Sequence, residues 1–238
     1  MNTDFKGKVI VLSGVGRAGQ VGDFLARAFA DQGGTLQLLG RNRAELDARA
    51  EELRASHASV ETHACDLSDA RAAEDAARAV AAQTDGRVDA LVHVAGGFAL
   101  SGPLAESSVD VWRQQLSINL GTAFATTRAF LPLVRAAKGC VLYFASAAAL
   151  PGADVGGLSA YAVAKTGVVT LMRAVAAEEA RNGLRANALA PAAIRTASNV
   201  ASMGPNARYV EPAALCDVVL FLASPASRAV SGQVIAVG

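Results

Sequence analysis

Cysteine, histidine, tryptophan and net charge are all scarce in this chain of 238 residues, and each shortage removes a class of function. The three cysteines, Cys65, Cys140 and Cys216, form no C-x-x-C pair and lie far apart. That excludes a zinc ribbon and a redox dithiol, and leaves them as small apolar residues in or near a core. His57, His63 and His93 show no ligand spacing either, so no metal is assigned. Lysine plus arginine number 22 against 21 aspartate plus glutamate. Such a balance gives no global field for nucleic acid or an anionic membrane, and points to a small, roughly neutral partner. Long apolar runs are missing too: the opening MNTDFKGKVIVLSG is too short for a signal-peptide core, and no later stretch approaches a membrane span. The expectation is a soluble, cytoplasmic protein.

What is present is an alternation of short β-like runs with longer helical ones. KVIVLSG is followed by DFLARAFADQGG, in which Phe24, Leu25, Ala28 and Phe29 share a helical face and Gly33 closes the helix. TLQLLG, SVETHACD, VDALVHVAGG, GCVLYFAS, GLRANALAP and GQVIAVG follow as further strand candidates, separated mostly by Ala-rich helical segments. This rhythm predicts an α/β protein: one Rossmann domain over residues 1–238, a doubly wound parallel sheet with helices on both faces. No repeat or low-complexity linker divides it. Ligands bind such sheets at the carboxyl ends of the strands, where this chain carries Ser13-Gly14, Gly40-Arg41, Asp66, Ala95-Gly96, Ser146 and Pro191. Residues 147–158 and about 195–210 lack periodicity and read as loops, lids or pocket walls on that edge.

Two patterns carry chemistry. In SGVGRAGQVG, Gly14, Gly16 and Gly19 spell G-x-G-x-x-G, but Gly22 follows at a spacing that this pattern does not explain. In YAVAK, Tyr161 and Lys165 lie four residues apart, so on a helix they share a face one turn apart and can act on one substrate. A free tyrosine has a pKa of about 10, and a nearby cation favours the phenolate by roughly 1 to 3 units.

Taken in order, the glycine turn, CDLSD, VAGG, SINLGTAF, YAVAK, GLRANALAP and FLASPASRAVSGQVIAVG resemble the short-chain dehydrogenase/reductase family over nearly the whole chain. The resemblance implies a catalytic tetrad of Asn119, Ser146, Tyr161 and Lys165. It also implies a cofactor half over about residues 1–140 and a catalytic and substrate half over about 141–238. The activity implied is hydride transfer between a nicotinamide and a carbonyl or alcohol, most simply carbonyl reduction. Ser146 would bond the carbonyl oxygen, Tyr161 deliver the proton, and Lys165 lower the tyrosine pKa and hold the ribose hydroxyls. Asn119 would hold a water leading to solvent. The alternative is a dinucleotide-binding redox sensor or partner subunit without turnover.

The same resemblance implies cofactor contacts at Gly14, Gly19, Val21, Gly22, Arg41, Asp66, Leu67, Ala95, Gly96, Tyr161, Lys165, Pro191, Ile194 and Thr196. Gly22 reads as the last glycine of a loop lengthened by about two residues. Gly19 would let backbone approach the pyrophosphate, and a path over Gly16 stays open. Asp66 would take the adenine amino group and also cap the next helix. Ile194 and Thr196 would face the nicotinamide carboxamide. His93 and Val94 stand where the family has two asparagines, His93 in a structural role, and Ala192 stands where it has glycine. Ser146 lies fifteen residues before Tyr161, two more than is usual, and the surplus falls in PGADVGG, near Leu150 and Asp154. Gly40 occupies the place of the acidic residue that binds the ribose of NAD, while Arg41 and Arg17 are candidate phosphate partners, so NADP(H) is favoured and NAD(H) possible. Assembly as a homotetramer, or second as a dimer, is expected through segments 108–137 and 159–182 and the last strand.

Overall fold

Among the described residues, 4–238 of the computed structural model, seven strands form one sheet in which every neighbouring pair is parallel. They are β1 (Val9–Ser13), β2 (Thr35–Gly40), β3 (Val60–Ala64), β4 (Ala90–His93), β5 (Cys140–Phe144), β6 (Arg185–Pro191) and β7 (Val234–Val237). Their order is β3-β2-β1-β4-β5-β6-β7, so the winding reverses between β1 and β4. A parallel sheet is covered on both faces, which is why its central strands read as unbroken apolar runs. In β1, Ile10 and Leu12 enter one core while Val11 enters the other.

Helices supply the two covers. On one face α1 (Val21–Asp31), α2 (Arg43–Ala55) and α8 (Pro212–Ala223) contribute Leu25, Phe29, Leu46, Leu53, Leu215 and Val219. On the other, α3 (Ala70–Gln83), α5 (Thr122–Ala136) and α6 (Ser159–Glu179) contribute Ala77, Val80, Phe130, Val134, Val168 and Met172. A short α4 (Val109–Gln115) runs into a π-helical turn, Leu116–Gly121, before α5. π turns inserted in α-helices recur at functional sites, and this one contains Asn119.

Three expectations are corrected here. Segment 195–210 is not all loop: Ala197–Met203 forms a helix, α7, capped by Thr196, whose hydroxyl accepts the Asn199 N–H. The Thr hydroxyl relieves one of the unpaired amides of the first turn, a signal that propensity alone did not show. The cap of α3 is Asp69, which accepts the Arg71 N–H, and Asp66 lies one turn outside it. Finally, Ser159–Asn182 is long and apolar enough to cross a membrane by length and composition, contrary to the expectation that no stretch is. Half of that window is buried inside the fold. Ala160, Ala164, Val168, Met172 and Val175 recur at three- or four-residue steps against the sheet, the pattern of a core helix.

Candidate active site

The carboxyl ends of β1 and β4 diverge at the reversal of strand order, and the backbone there is crowded. A side chain at Gly14 would bring a Cβ 2.5 Å from the Ala95 nitrogen, and one at Gly22 would lie 2.6 Å from the Gly14 carbonyl oxygen. Both distances are shorter than any real contact, so α1 can begin this close to β1 only with glycine at both places. Gly14 and Gly19 also take positive φ angles, +77° and +68°. Gln20 precedes α1 as its cap residue with no side-chain cap bond, which leaves the amides of Val21 and Gly22 in the first turn facing the cleft end of the helix.

Asp23, the third residue of α1, was missed in the sequence, where only the glycines drew notice. Its carboxylate is buried and accepts the Gly19 N–H at 2.8 Å and the Arg27 Nε at 3.0 Å, with Arg49 of α2 at 3.6 Å. Glu52 joins the network by pairing with both arginines. Gly19 therefore turns its amide inward to Asp23 rather than offering it to a pyrophosphate. Its carbonyl oxygen instead accepts the Ala197 N–H at the start of α7, at 3.4 Å. An acid after the last glycine, four residues before Arg27, is the signal that could have exposed the device.

The other wall rises from β4, β5 and α6. Lys165 is 6% exposed, and its Nζ donates to the Phe144 carbonyl oxygen at 2.8 Å. The ammonium lies 5.8 Å from the Tyr161 ring centre, and a Cβ at Gly96 would be 3.4 Å from it and 2.6 Å from the Asn119 Oδ1. Gly96 thus has to lack a side chain for the Asn119 amide and the Lys165 ammonium both to lie this close to its backbone. Burial pushes the Lys165 pKa down from 10.5 to about 8. For Tyr161 burial pushes the phenol up, while a hydrogen bond with the Ser146 hydroxyl pulls it down. The lowering expected from Lys165 does not appear in this arrangement, because the ammonium is directed at Phe144 and not at the phenol oxygen.

Asn119 is 1% exposed, and its amide is fully committed. Oδ1 accepts the Gly97 N–H at 3.2 Å, and Nδ2 donates to the Gly97 carbonyl at 2.9 Å and the Gln115 carbonyl at 3.0 Å. The side chain fastens the turn after β4 to the π-helical turn. His93 spans Ser13, at 2.9 Å from Nδ1, and Thr122, at 3.3 Å from Nε2; Ser13 in turn accepts the Ala95 N–H. Burial, with the Lys165 charge second, drives its pKa down to about 3, so it is a neutral structural bridge. Val94 packs at the edge of the core.

Among the other expected contacts, Leu67 is buried and Asp66 exposed at the end of β3. The Ser68 N–H and hydroxyl bond Asp66 and hold its carboxyl below the usual range, with Arg41 adding a smaller electrostatic pull. Pro191 ends β6, and Ala192 keeps a negative φ, so its departure from glycine is harmless. The Ile194 carbonyl accepts from the Thr196 N–H and the Asn199 amide, and the Thr196 side chain is buried at the start of α7. Leu150 packs toward α6 and the sheet core instead of bordering the pocket, and Asp154 bonds the Gly156 N–H. Tyr209 likewise spends its hydroxyl on the Asn199 and Gly204 carbonyls, bracing α7.

A nicotinamide dinucleotide fits these residues. The glycine-lined end of α1 accepts phosphate, and Lys165, with a single acceptor among the described residues for three N–H donors, has capacity left for a ribose diol. Comparison with known proteins gives the family. A family model described as enoyl-(acyl carrier protein) reductase matches residues 14–238. The D-threitol dehydrogenase of Mycolicibacterium smegmatis is 31% identical, covering 96% of this chain and 91% of its own. The L-tagatose-forming galactitol 2-dehydrogenase of Cereibacter sphaeroides is 34% identical over 93% of this chain and 91% of its own. The crystal structure of a short-chain dehydrogenase/reductase from Burkholderia xenovorans superposes with a TM-score of 0.87 at 30% identity, covering 98% of this chain and 96% of that one. The chain belongs to the short-chain dehydrogenase/reductase family. It is an NAD(P)-dependent oxidoreductase of alcohol and carbonyl groups.

The buried ammonium leaves a signature in stability. In the folded protein Lys165 loses its proton from about pH 8, whereas in the unfolded chain it holds it to about 10.5. The unfolded state therefore binds more protons in this window, and the Lys165 contribution to stability rises with pH. Urea unfolding of wild type and Lys165→Met at pH 7.5, 9 and 10.5 should show wild type gaining on the variant by up to about 3 kcal/mol. The three cysteines, raised to about 11 by partial or full burial, act in the opposite sense but equally in both proteins. A difference that stays constant with pH would contradict the assignment.

Proposed function

We propose that this enzyme reduces a carbonyl compound, with Tyr161 as proton donor, Ser146 as the hydrogen-bond donor to the carbonyl oxygen, Lys165 as the ribose anchor and Asn119 as the clamp on the Gly96-Gly97 turn. The observation that carries the reading is Lys165, a buried cation with unspent donors placed under the ring of Tyr161 and against Gly96. When bound, the nicotinamide supplies the hydride equivalent at its C4. The protein supplies the rest: Ser146 and Tyr161 meet one oxygen because β5 ends where α6 begins its first turn. Negative charge building on that oxygen is met by both hydroxyls, and the phenol proton passes to it. Ser159 is no substitute for Ser146, since its hydroxyl is engaged with Ser101 at 3.1 Å. In this reading the strand ends up to about residue 140 hold the cofactor, and the later part supplies Ser146, Tyr161, Lys165 and the substrate side. Tyr161→Phe should lower turnover at least about a hundredfold while leaving cofactor affinity, read from Trp112 fluorescence, nearly unchanged. Near-normal turnover in this variant would remove Tyr161 from the chemistry; a wild type that binds cofactor and turns over no carbonyl or alcohol would favour a sensor without turnover.

NADP(H) is the proposed preferred cofactor. Arg17 and Arg41 are exposed and, among the described residues, in no ion pair, which leaves both guanidinium groups free for a ribose phosphate. Gly40 carries a further cause that the sequence did not reveal: a Cβ there would collide with the Val15 carbonyl oxygen, so no acid can stand at the end of β2 without shifting the glycine loop. The Glu45 carboxylate lies against Gly16 on that rim. The ratio of kcat/KM for NADPH over NADH is expected above unity and should fall about tenfold or more in Arg41→Ala, the scale of one charge-assisted hydrogen bond. A wild type that favours NADH would defeat the preference.

For assembly we propose a homotetramer. Phe124 of α5 and Val163 of α6 are 54% and 48% exposed, apolar side chains on the two helices expected to pair with a second copy. β7 ends the sheet with an open edge beside a cavity of about 320 Å³ lined by Leu150, Thr170, Arg173 and Val234, which suits a second contact. Light scattering at micromolar concentration should give about four times the chain mass of 24.2 kDa, and a monomer would refute it. A cytoplasmic location agrees with an enzyme drawing on a nicotinamide pool.

A further inference from the structure

The proposed proton donor has an aromatic neighbour that no role above uses. Phe98, two residues past Gly96, sets its ring edge-to-face on Tyr161, with ring centres 5.1 Å apart and planes at 81°. It is nonetheless 62% exposed, and Leu100 on the same segment is 69% exposed. We propose that Phe98 is the wall of a substrate subsite that selects carbonyl compounds bearing an apolar group, an aryl ring or an alkyl chain, beside the reacting carbon. The proposal rests on the reading of Tyr161 as the proton donor.

Two features of the surroundings favour an apolar occupant. First, the segment carrying Phe98 is held in place. Ser101 and Gly102 donate their N–H groups to the Gly157 carbonyl, and the Ser101 hydroxyl donates to the same oxygen at 3.0 Å and pairs with Ser159. The loop after β4 is thereby stitched to the start of α6, and Phe98 stands fixed beside the phenol. Second, the polar side chains around that phenol are already engaged. Ser101 and Ser159 bond each other, the Asn119 amide is committed to Gly97 and Gln115, and the Ser146 hydroxyl is assigned to the reacting carbonyl. A polyhydroxylated substrate needs a partner for every hydroxyl it buries, and an unpaired one is penalised. An apolar flank needs only contact area, which Phe98 offers against an aromatic or aliphatic group. This chain would then part from its relatives that are dehydrogenases of threitol and galactitol.

The test compares acetophenone with L-tagatose in wild type, Phe98→Asn and Phe98→Leu, each supplied with NADPH and NADH. Wild type should favour acetophenone in kcat/KM by more than about tenfold. Phe98→Asn should reduce that ratio at least about tenfold, Phe98→Leu should retain most of it, and cofactor affinity should stay within about twofold in both. Saturation-transfer NMR of acetophenone on protein loaded with oxidised cofactor, which cannot reduce it, should show contact in wild type and Phe98→Leu and lose it in Phe98→Asn. A wild type preferring tagatose, a ratio unmoved by Phe98→Asn, or an assembly mass that falls in Phe98→Asn while the ratio holds would each overturn the proposal, the last by showing that another copy of the chain covers the ring. Failure of wild type to bind either cofactor would strike the parent reading instead, and acetophenone contact measured on the protein alone would still decide this one.

Discussion

Backbone crowding at the end of β1 governs the rest of the site. Gly14 lies against Ala95, Gly22 against the Gly14 carbonyl, and Gly40 against the Val15 carbonyl, so three segments converge with no room for a Cβ at any of the three glycines. This convergence brings the first turn of α1 over the edge of the sheet, where its unpaired amides can meet a phosphate. It also decides where selectivity for the ribose can reside, because the end of β2 has no room for a side chain. The other wall obeys the same rule, since Gly96 leaves the space that the Asn119 amide and the Lys165 ammonium each approach.

The charges near this convergence are arranged by burial. Lys165 and His93 both sit deep under the strand ends, and desolvation favours the uncharged form of each. His93 yields completely and becomes a neutral link between Ser13 and Thr122. Lys165 yields only in part, held by the Phe144 carbonyl, and so stays a cation through the neutral range. Asp23 solves its own burial differently, by gathering Arg27, Arg49 and a backbone amide around its carboxylate.

Much of this could be read from the residues in order. The central strands were visible as apolar runs, because a sheet covered on both faces leaves little room for polar alternation, whereas β3, VETHA at the sheet edge, was visible only from its place in the β-α rhythm. Tyr161 and Lys165 were visible because a helix converts a spacing of four into a shared face. What stayed hidden depends on contacts across the fold. α7 was lost in a segment of small polar residues whose helix rests on a threonine cap and on Tyr209 from behind. Leu150 was misplaced because nothing local tells on which side of β5 its loop folds. Asn119 was recognised, but the bond of its amide to Gly97, a residue 22 positions away, could not be read from the sequence. Asp23 was invisible as long as attention went to glycines, although its neighbour Arg27 at a helical spacing carried the hint.

The bond from the Gly19 carbonyl to the Ala197 amide joins two parts of the chain that are 178 positions apart and belong to opposite sides of the cleft. The glycine turn after β1 and α7 are therefore tied to each other through the backbone, and Asp23 anchors the turn from below. The two segments cannot drift independently in sequence: an insertion or deletion between Val15 and Gly19 has to be answered by a change around Thr196 and Ala197, and a graft of either one from a relative without the other would leave an amide or a carbonyl stranded over the cleft.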